Sequence, residues 1–226
     1  MGKIVIVDLG TGNLHSVCKA IEHVSSTKSV CITNQPSVIR AAEYLILPGQ
    51  GAIGTWFNQL QSNPELEQAV RDRLKSGPCL GICLGLQALL EHSEESGGIN
   101  GLGILGGSVK HFSSNPHHAN TYLDKKNNTT PQITHKIPHM GWNEVRQTLP
   151  HPLWQGIADR ERFYFVHSYY VHSTHPQQIM GQCEYGNLFT AAAAKGNLFA
   201  TQFHPEKSQH AGLQLLKNFV NWNGDV

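Results

Sequence analysis

The thiol of Cys83 and, far along the chain, the imidazole of His204 and the carboxylate of Glu206 are the side chains whose types and settings could do covalent chemistry. Cys83 lies in Gly81-Ile82-Cys83-Leu84-Gly85, after a short apolar run and before the helix-like ALLEHSEE. A nucleophile on a sharp strand-to-helix turn, with small residues two positions to either side, is held in a strained conformation that neighbouring backbone can approach. The helix N-terminus and a nearby histidine would favour the thiolate, and the Leu84 N–H would point where an oxyanion forms. Cys79 stands four residues earlier, at the strand's other end. Extended chain separates the two by roughly 13 Å, too far for a shared metal or a disulfide. No second ligand pair at zinc spacing accompanies them, so Cys79 reads as core and no metal is expected.

Fourteen histidines compete for the role of base, and His204 in TQFHPEKS is distinctive among them. His204 and Glu206 are two positions apart, which in extended backbone puts them on one side, with Pro205 stiffening the pair. The carboxylate could then orient the imidazole while its other nitrogen takes the thiol proton. Together the two motifs favour a Cys-His-Glu triad.

These groups need a scaffold with loops at strand ends. KIVIVD (3–8) is a continuous apolar run, the pattern of a strand buried on both faces, and it passes through GTGN into LHSVCKAIEHV at helical spacing. SVCIT (29–33), the short helix QPSVIRAA and EYLILPG (43–49) follow. Asn63-Pro64 is an N-cap and first-turn pair for ELEQAVRDRLKSG, ahead of the short strand CLGIC. Such alternation predicts an α/β fold with a mostly parallel sheet flanked by helices. Beyond residue 100 the segments GSVKHF, WNEV, FYFVHSYYVH, QIMGQCEY, LFTAAAA and NLFATQFHP predict an additional smaller, partly antiparallel sheet. KSQHAGLQLLKNFVNWN predicts a closing helix. Residues 112–135 are polar and poor in aliphatics, which predicts an exposed loop inserted in a single domain spanning 1–226.

Seventeen basic and sixteen acidic residues, unclustered, give no electrostatic reason to expect nucleic acid or an anionic membrane. No apolar run approaches the ~20 residues of a membrane span. Five unevenly spaced cysteines do not form the framework of a small secreted domain, and MGKIVIVDLG lacks the features of a signal peptide, so a reduced, cytoplasmic protein is expected. Gly10-Thr11-Gly12 follows the first strand, but His15 occupies the third glycine position of a dinucleotide fingerprint and no acidic residue ends the second strand. No cofactor is expected.

GICLGLQ, FHPEKS and LPGQGA resemble the three signatures of the class I (triad) glutamine amidotransferases, whose flavodoxin-like fold they imply. PHMGWN (138–143) and VDLGTGNLHS (7–16) are similar to the branch that serves as glutaminase subunit of imidazole glycerol phosphate synthase, in histidine biosynthesis. The resemblance implies that Cys83 attacks L-glutamine to form a γ-glutamyl thioester, that His204 moves the protons and that Glu206 orients His204. It assigns the oxyanion hole to Leu84 with the loop of Gly49, Gln50 and Gly51. Gln87 and Glu95, the latter at the end of the helix after the nucleophile, would hold the amino-acid end of the substrate, and His167, Ser168 and Tyr169 would line the pocket. It further implies a heterodimer with a (β/α)8 cyclase subunit, met through Asn13, His139, Trp142, Asn143 and Lys207. The cyclase would consume the ammonia in forming imidazole glycerol phosphate and an aminoimidazole carboxamide ribotide. Gln50 stands where an aliphatic residue is usual in that loop, and Leu9 where tyrosine is common. A related protein feeding ammonia to another acceptor such as a sugar, a catalytically silent docking partner, and a free-standing γ-glutamyl hydrolase are the alternatives.

Overall fold

A computed structural model describes residues 2–114 and 135–225. The N-terminal part alternates as expected: β1 (Lys3–Val7), α1 (Leu14–Val24), β2 (Ser29–Thr33), α2 (Pro36–Arg40), β3 (Tyr44–Leu47), α3 (Ile53–Gln61), α4 (Pro64–Arg73), β4 (Cys79–Ile82) and α5 (Leu84–Ala88). Local chemistry sets several of these ends. The Asn63 side chain accepts from the N–H groups of Glu65 and Leu66 at the start of α4, with Pro64 in the first turn, and Asn13 accepts from the Ser16 N–H to cap α1.

The later strands are β5 (His92–Ser93), β6 (Ile99–Asn100), β7 (Gly107–His111), β8 (His139–Gln147), β9 (Glu161–His167), β10 (Tyr169–Ser173), β11 (Ile179–Glu184), β12 (Leu188–Lys195) and β13 (Leu198–Thr201), before the closing helix α6 (Gln209–Asn221). FYFVHSYYVH is thus two strands broken at Ser168, not one. Strands β2-β1-β3-β4-β13 run parallel, and β13 then pairs antiparallel with β12. The antiparallel part is not a separate sheet. It branches from β12, which pairs with β10 on the main path and with β11 on a side path leading to β8 and β9.

Both faces of the parallel part are covered, so its strands are apolar throughout. In β1, Ile4 and Ile6 join Val17 and Ile21 of α1 and Leu215, Leu216 and Phe219 of α6, whereas Val5 and Val7 face Ile39, Trp56, Phe57, Leu66 and Val70 of α2 to α4. This alternation is the two-residue period of a strand between two helical layers. The expected exposed segment beginning at Phe112 starts differently. Phe112 is fully buried, 4.9 Å between ring centroids from Tyr170 and 5.2 Å from His167, and residues 112–114 form a 3-10 turn. An aromatic side chain of this size gains more from that ring cluster than it would in water. The stretch 115–134 lies outside the described residues.

Candidate active site

The parallel neighbours β4 and β13 bring the chemistry together. Ile82 lies opposite Thr201 in their register, and the Cys83 N–H donates to the Thr201 carbonyl at 2.7 Å. Cys83 and His204 therefore leave adjacent strands at their C-terminal ends, where open α/β sheets form their crevices.

Cys83 occupies the expected strand-to-helix turn, at φ 54° and ψ −104°, a conformation that L-residues avoid. Gly85 lets the turn close: a Cβ there would fall 1.9 Å from the Leu47 carbonyl oxygen of β3. The Leu84 N–H opens α5, where a helix has no intrahelical acceptor for it. That helix ends at Ala88, short of Glu95, which instead begins a 3-10 turn reaching Gly97. Cys79 is fully buried, and burial raises its thiol to about 12, keeping it protonated as core.

His204 Nδ1 and Glu206 Oε1 are 2.7 Å apart, and both side chains are 1% exposed. The pair does not meet through extended alternation. Pro205 starts a 3-10 turn over residues 205–207, and this turn folds the carboxylate back onto the ring. Ser208 holds the turn, donating to the His204 carbonyl at 2.6 Å and accepting from the Tyr164 N–H of β9 at 2.9 Å. Burial is the largest influence on the imidazole and opposes its charged form. The proximity of Cys83, followed by that of Glu206, outweighs it and raises the pKa to about 10. His204 Nε2, on the other side of the ring from Glu206, is buried with no hydrogen-bond partner among the described residues, which leaves it to exchange a proton with a reacting group.

Cys83 opens into a cavity of about 400 Å³ lined also by Gln50, Gly51, Leu84, Gln87, Glu95, His167, Ser168 and Tyr169. Gly49 lies just behind it, packed so tightly that a Cβ would be 2.9 Å from that of Leu84, while Trp56 Nε1 donates to the Pro48 carbonyl at 3.2 Å. Gly51 has φ +88°, so the loop turns sharply beside the thiol. Gln87 Nε2 donates to the Tyr169 carbonyl at 3.0 Å and to Gln202 Oε1 at 3.1 Å. Its Oε1 is thereby left to meet a donor in the cavity. Glu95 accepts from the Ile53 N–H at 3.3 Å, and burial raises its pKa despite that bond. The cavity thus brings a carboxylate, a side-chain amide and a thiol to one space.

The residues expected on a partner face divide. Trp142 is 42% exposed and sits beside Tyr164, with ring centroids 6.0 Å apart; Met140 and Ile137 of the same segment are also exposed. Asn13 is exposed at the start of α1 and Lys207 half-buried after His204. His139 is the exception. It is buried, stacked 3.9 Å from Tyr185 between ring centroids and hydrogen-bonded to His167 at 2.9 Å, because its place on β8 alternates inward from Met140. Asn143 sits half-buried and donates to the Glu184 carbonyl at 2.9 Å. His167 is held neutral, its pKa lowered to about 3 first by burial and then by His139.

One polar residue beside Cys83 escaped sequence reasoning. Gln202, fully buried, places Nε2 3.7 Å from Cys83 Sγ. The available signal was its position two residues before His204, on the strand that leads to it.

The family model described as glutamine amidotransferase class-I matches residues 5–222. Among curated relatives, the imidazole glycerol phosphate synthase subunit HisH of Pseudomonas putida is 47% identical over 99% of this chain and 99% of its own. The subunits of that name from Thiobacillus denitrificans (51% identity, 97% of this chain, 91% of the relative) and Nitrosomonas europaea (50%, 98% and 99%) are comparably similar. Two solved structures share the fold. PurLQS from Thermotoga maritima has a TM-score of 0.69 at 15% identity, covering 97% of this chain and 98% of that one. A crystal structure of a glutamine amidotransferase has a TM-score of 0.66 at 16% identity, covering 96% and 97%.

Proposed function

The chain belongs to the class-I glutamine amidotransferases and, within them, to the glutaminase subunits of imidazole glycerol phosphate synthase, and from that premise we propose that Cys83, His204 and Glu206 are its catalytic triad. The enzyme hydrolyses glutamine in histidine biosynthesis. In the proposed sequence the Cys83 thiolate attacks the carboxamide carbon and a C–S bond forms. The carbonyl oxygen becomes an anion beside the Leu84 N–H and the Gly49-Gln50-Gly51 loop. His204 gives its proton to the amide nitrogen as the C–N bond breaks, releasing ammonia and leaving a γ-glutamyl thioester. It next takes a proton from water, whose oxygen displaces the sulfur to yield glutamate. Glu206 keeps the ring oriented through both steps. Gln87 and Glu95 accept from the substrate's α-ammonium group, and the backbone of His167, Ser168 and Tyr169 walls the pocket.

Ammonia in neutral water is mostly protonated and no nucleophile, so it must travel under cover to its acceptor. We assign that cover to a (β/α)8 cyclase subunit in a heterodimer, seated on the exposed face of Trp142 and Met140 with Asn13, Asn143 and Lys207 around it. His139 supports this face from beneath. Residues 1–226 act as one amidotransferase unit, and five free cysteines suit a reducing cytoplasm.

The observation that carries the reading is the buried His204–Glu206 pair at 2.7 Å beside a cysteine at a strained strand-to-helix turn. Glutamate release by wild type and Cys83→Ala, with and without the cyclase and its acceptor, tests it. Activity should require Cys83 and rise on adding the loaded cyclase; an active Cys83→Ala enzyme would refute the triad.

A further inference from the structure

We propose that Gln202 is a positioning residue for the Cys83 thiolate, donating an amide N–H to the sulfur in an orientation imposed by a polar chain that ends on the Tyr169 carbonyl. The inference rests on Cys83 being the nucleophile.

The Tyr169 carbonyl can only accept. It faces His167 Nδ1 at 2.7 Å and Gln87 Nε2 at 3.0 Å, so both groups must donate to it. The second hydrogen on Gln87 Nε2 goes to Gln202 Oε1 at 3.1 Å. With its oxygen committed, Gln202 presents Nε2 to Cys83 Sγ at 3.7 Å. Flipping Gln87 would set its oxygen against the Tyr169 oxygen, and flipping Gln202 would set its nitrogen against that of Gln87. Either change buries unpaired polar groups, and both glutamines are buried. The histidine beyond is fixed in turn: His167 donates through Nδ1, so its Nε2 accepts from His139 Nδ1 at 2.9 Å.

The polarity matters because a thiol accepts or donates, whereas a thiolate only accepts. A donor locked toward the sulfur favours the anion. His204, whose Nε2 is buried with no hydrogen-bond partner among the described residues, supplies the opposing charge when protonated, and Gln202 is the neutral donor at the sulfur. Glu206 beside that imidazole, Glu95 and Tyr169 lining the cavity, and His167 at the end of β9 are the other titratable groups around it. The carboxylates raise the need for such a donor, since both oppose a second negative charge.

The test is the rate at which iodoacetamide alkylates Cys83, resolved by peptide mass spectrometry between pH 5 and 9 on the full-length protein. Gln202→Met removes the donor at similar volume. Gln202→Glu still accepts from Gln87 but sets a carboxylate against the sulfur. The midpoint should rise by about one unit in Gln202→Met, making alkylation about tenfold slower at pH values below both midpoints, and further in Gln202→Glu. With the cyclase present, kcat should fall in step in both variants while KM for glutamine holds in Gln202→Glu, which keeps the acceptor for Gln87, a split that a general loss of packing would not produce. Unchanged midpoints in both variants would overturn the proposal. A measurement on wild type needs no variant to fold: the Gln202 side-chain amide resonance should move with the same midpoint as alkylation, and a resonance constant over that range would overturn it equally. Failure of the nucleophile assignment would look different, as glutamine hydrolysis surviving in Cys83→Ala.

Discussion

Replacing Cys83 by alanine and, separately, by glycine isolates the backbone strain at the turn. Both variants lose the thiol with its Gln202 and His204 contacts, so their difference reports the backbone alone. At φ 54° and ψ −104° a residue with a Cβ is in sparsely populated territory, a strain of roughly 1–3 kcal/mol. Glycine escapes it but adds unfolded-chain entropy of about 0.5–1 kcal/mol. The difference, about 0–2.5 kcal/mol, centres on a Cys83→Gly protein about 1 kcal/mol more stable than Cys83→Ala, which for a chain of this size is about 2–4 °C in Tm. Urea unfolding followed by tryptophan fluorescence, with Tm from calorimetry, measures it. If glycine were no more stable than alanine, the turn would not be strained and the nucleophile-elbow account of Cys83 would fail.

Glu206→Gln keeps a hydrogen-bonding group on His204 but removes the charge that helps to hold it protonated, so glutamine hydrolysis in the presence of the cyclase should drop by about 10²- to 10⁴-fold in kcat. Trp142→Ala should leave Tm nearly unchanged, the side chain being 42% exposed, while weakening cyclase binding by about 2 kcal/mol, or roughly thirtyfold in Kd by calorimetric titration. Burial holds the pKa of His151 down at about 4, below its unfolded value. The folded protein therefore resists protonation that the unfolded chain accepts, and stability present above pH 6.5 is lost as the pH falls toward 4, by up to about 1.4 kcal/mol per pH unit from this residue. His151→Asn, which can still accept from the Leu153 N–H that His151 caps at 3.1 Å, should flatten the pH dependence of Tm in that window.

Features whose causes are local could be read from the residues in order. The apolar runs of β1, β3 and β4 follow from burial on both faces, the caps at Asn13 and Asn63 from side chains that satisfy nearby N–H groups, and the turn at Cys83 from its flanking glycines. Cys83, His204 and Glu206 could be picked out for the same reason, each lying in a short contiguous motif, and the structure holds His204 against Glu206 at 2.7 Å.

What only the tertiary structure decided depends on partners distant in sequence. FYFVHSYYVH has one continuous apolar pattern, but it divides at Ser168 because β9 pairs with β8 while β10 pairs with β7 and β12. Phe112 reads as the edge of a polar segment until Tyr170, His167 and Phe189 surround it. His139 sits in a motif that looks exposed, yet strand alternation turns it inward onto His167. Gln202 gains its meaning from Gln87 and Cys83, which reach it only because β4 and β13 are neighbours. Hydrophobic period and capping act over a few residues, so sequence determines which segments become strands and helices and which side chains can react. Strand adjacency is set by packing the whole sheet between its helices, and it alone placed a buried amide against the thiol.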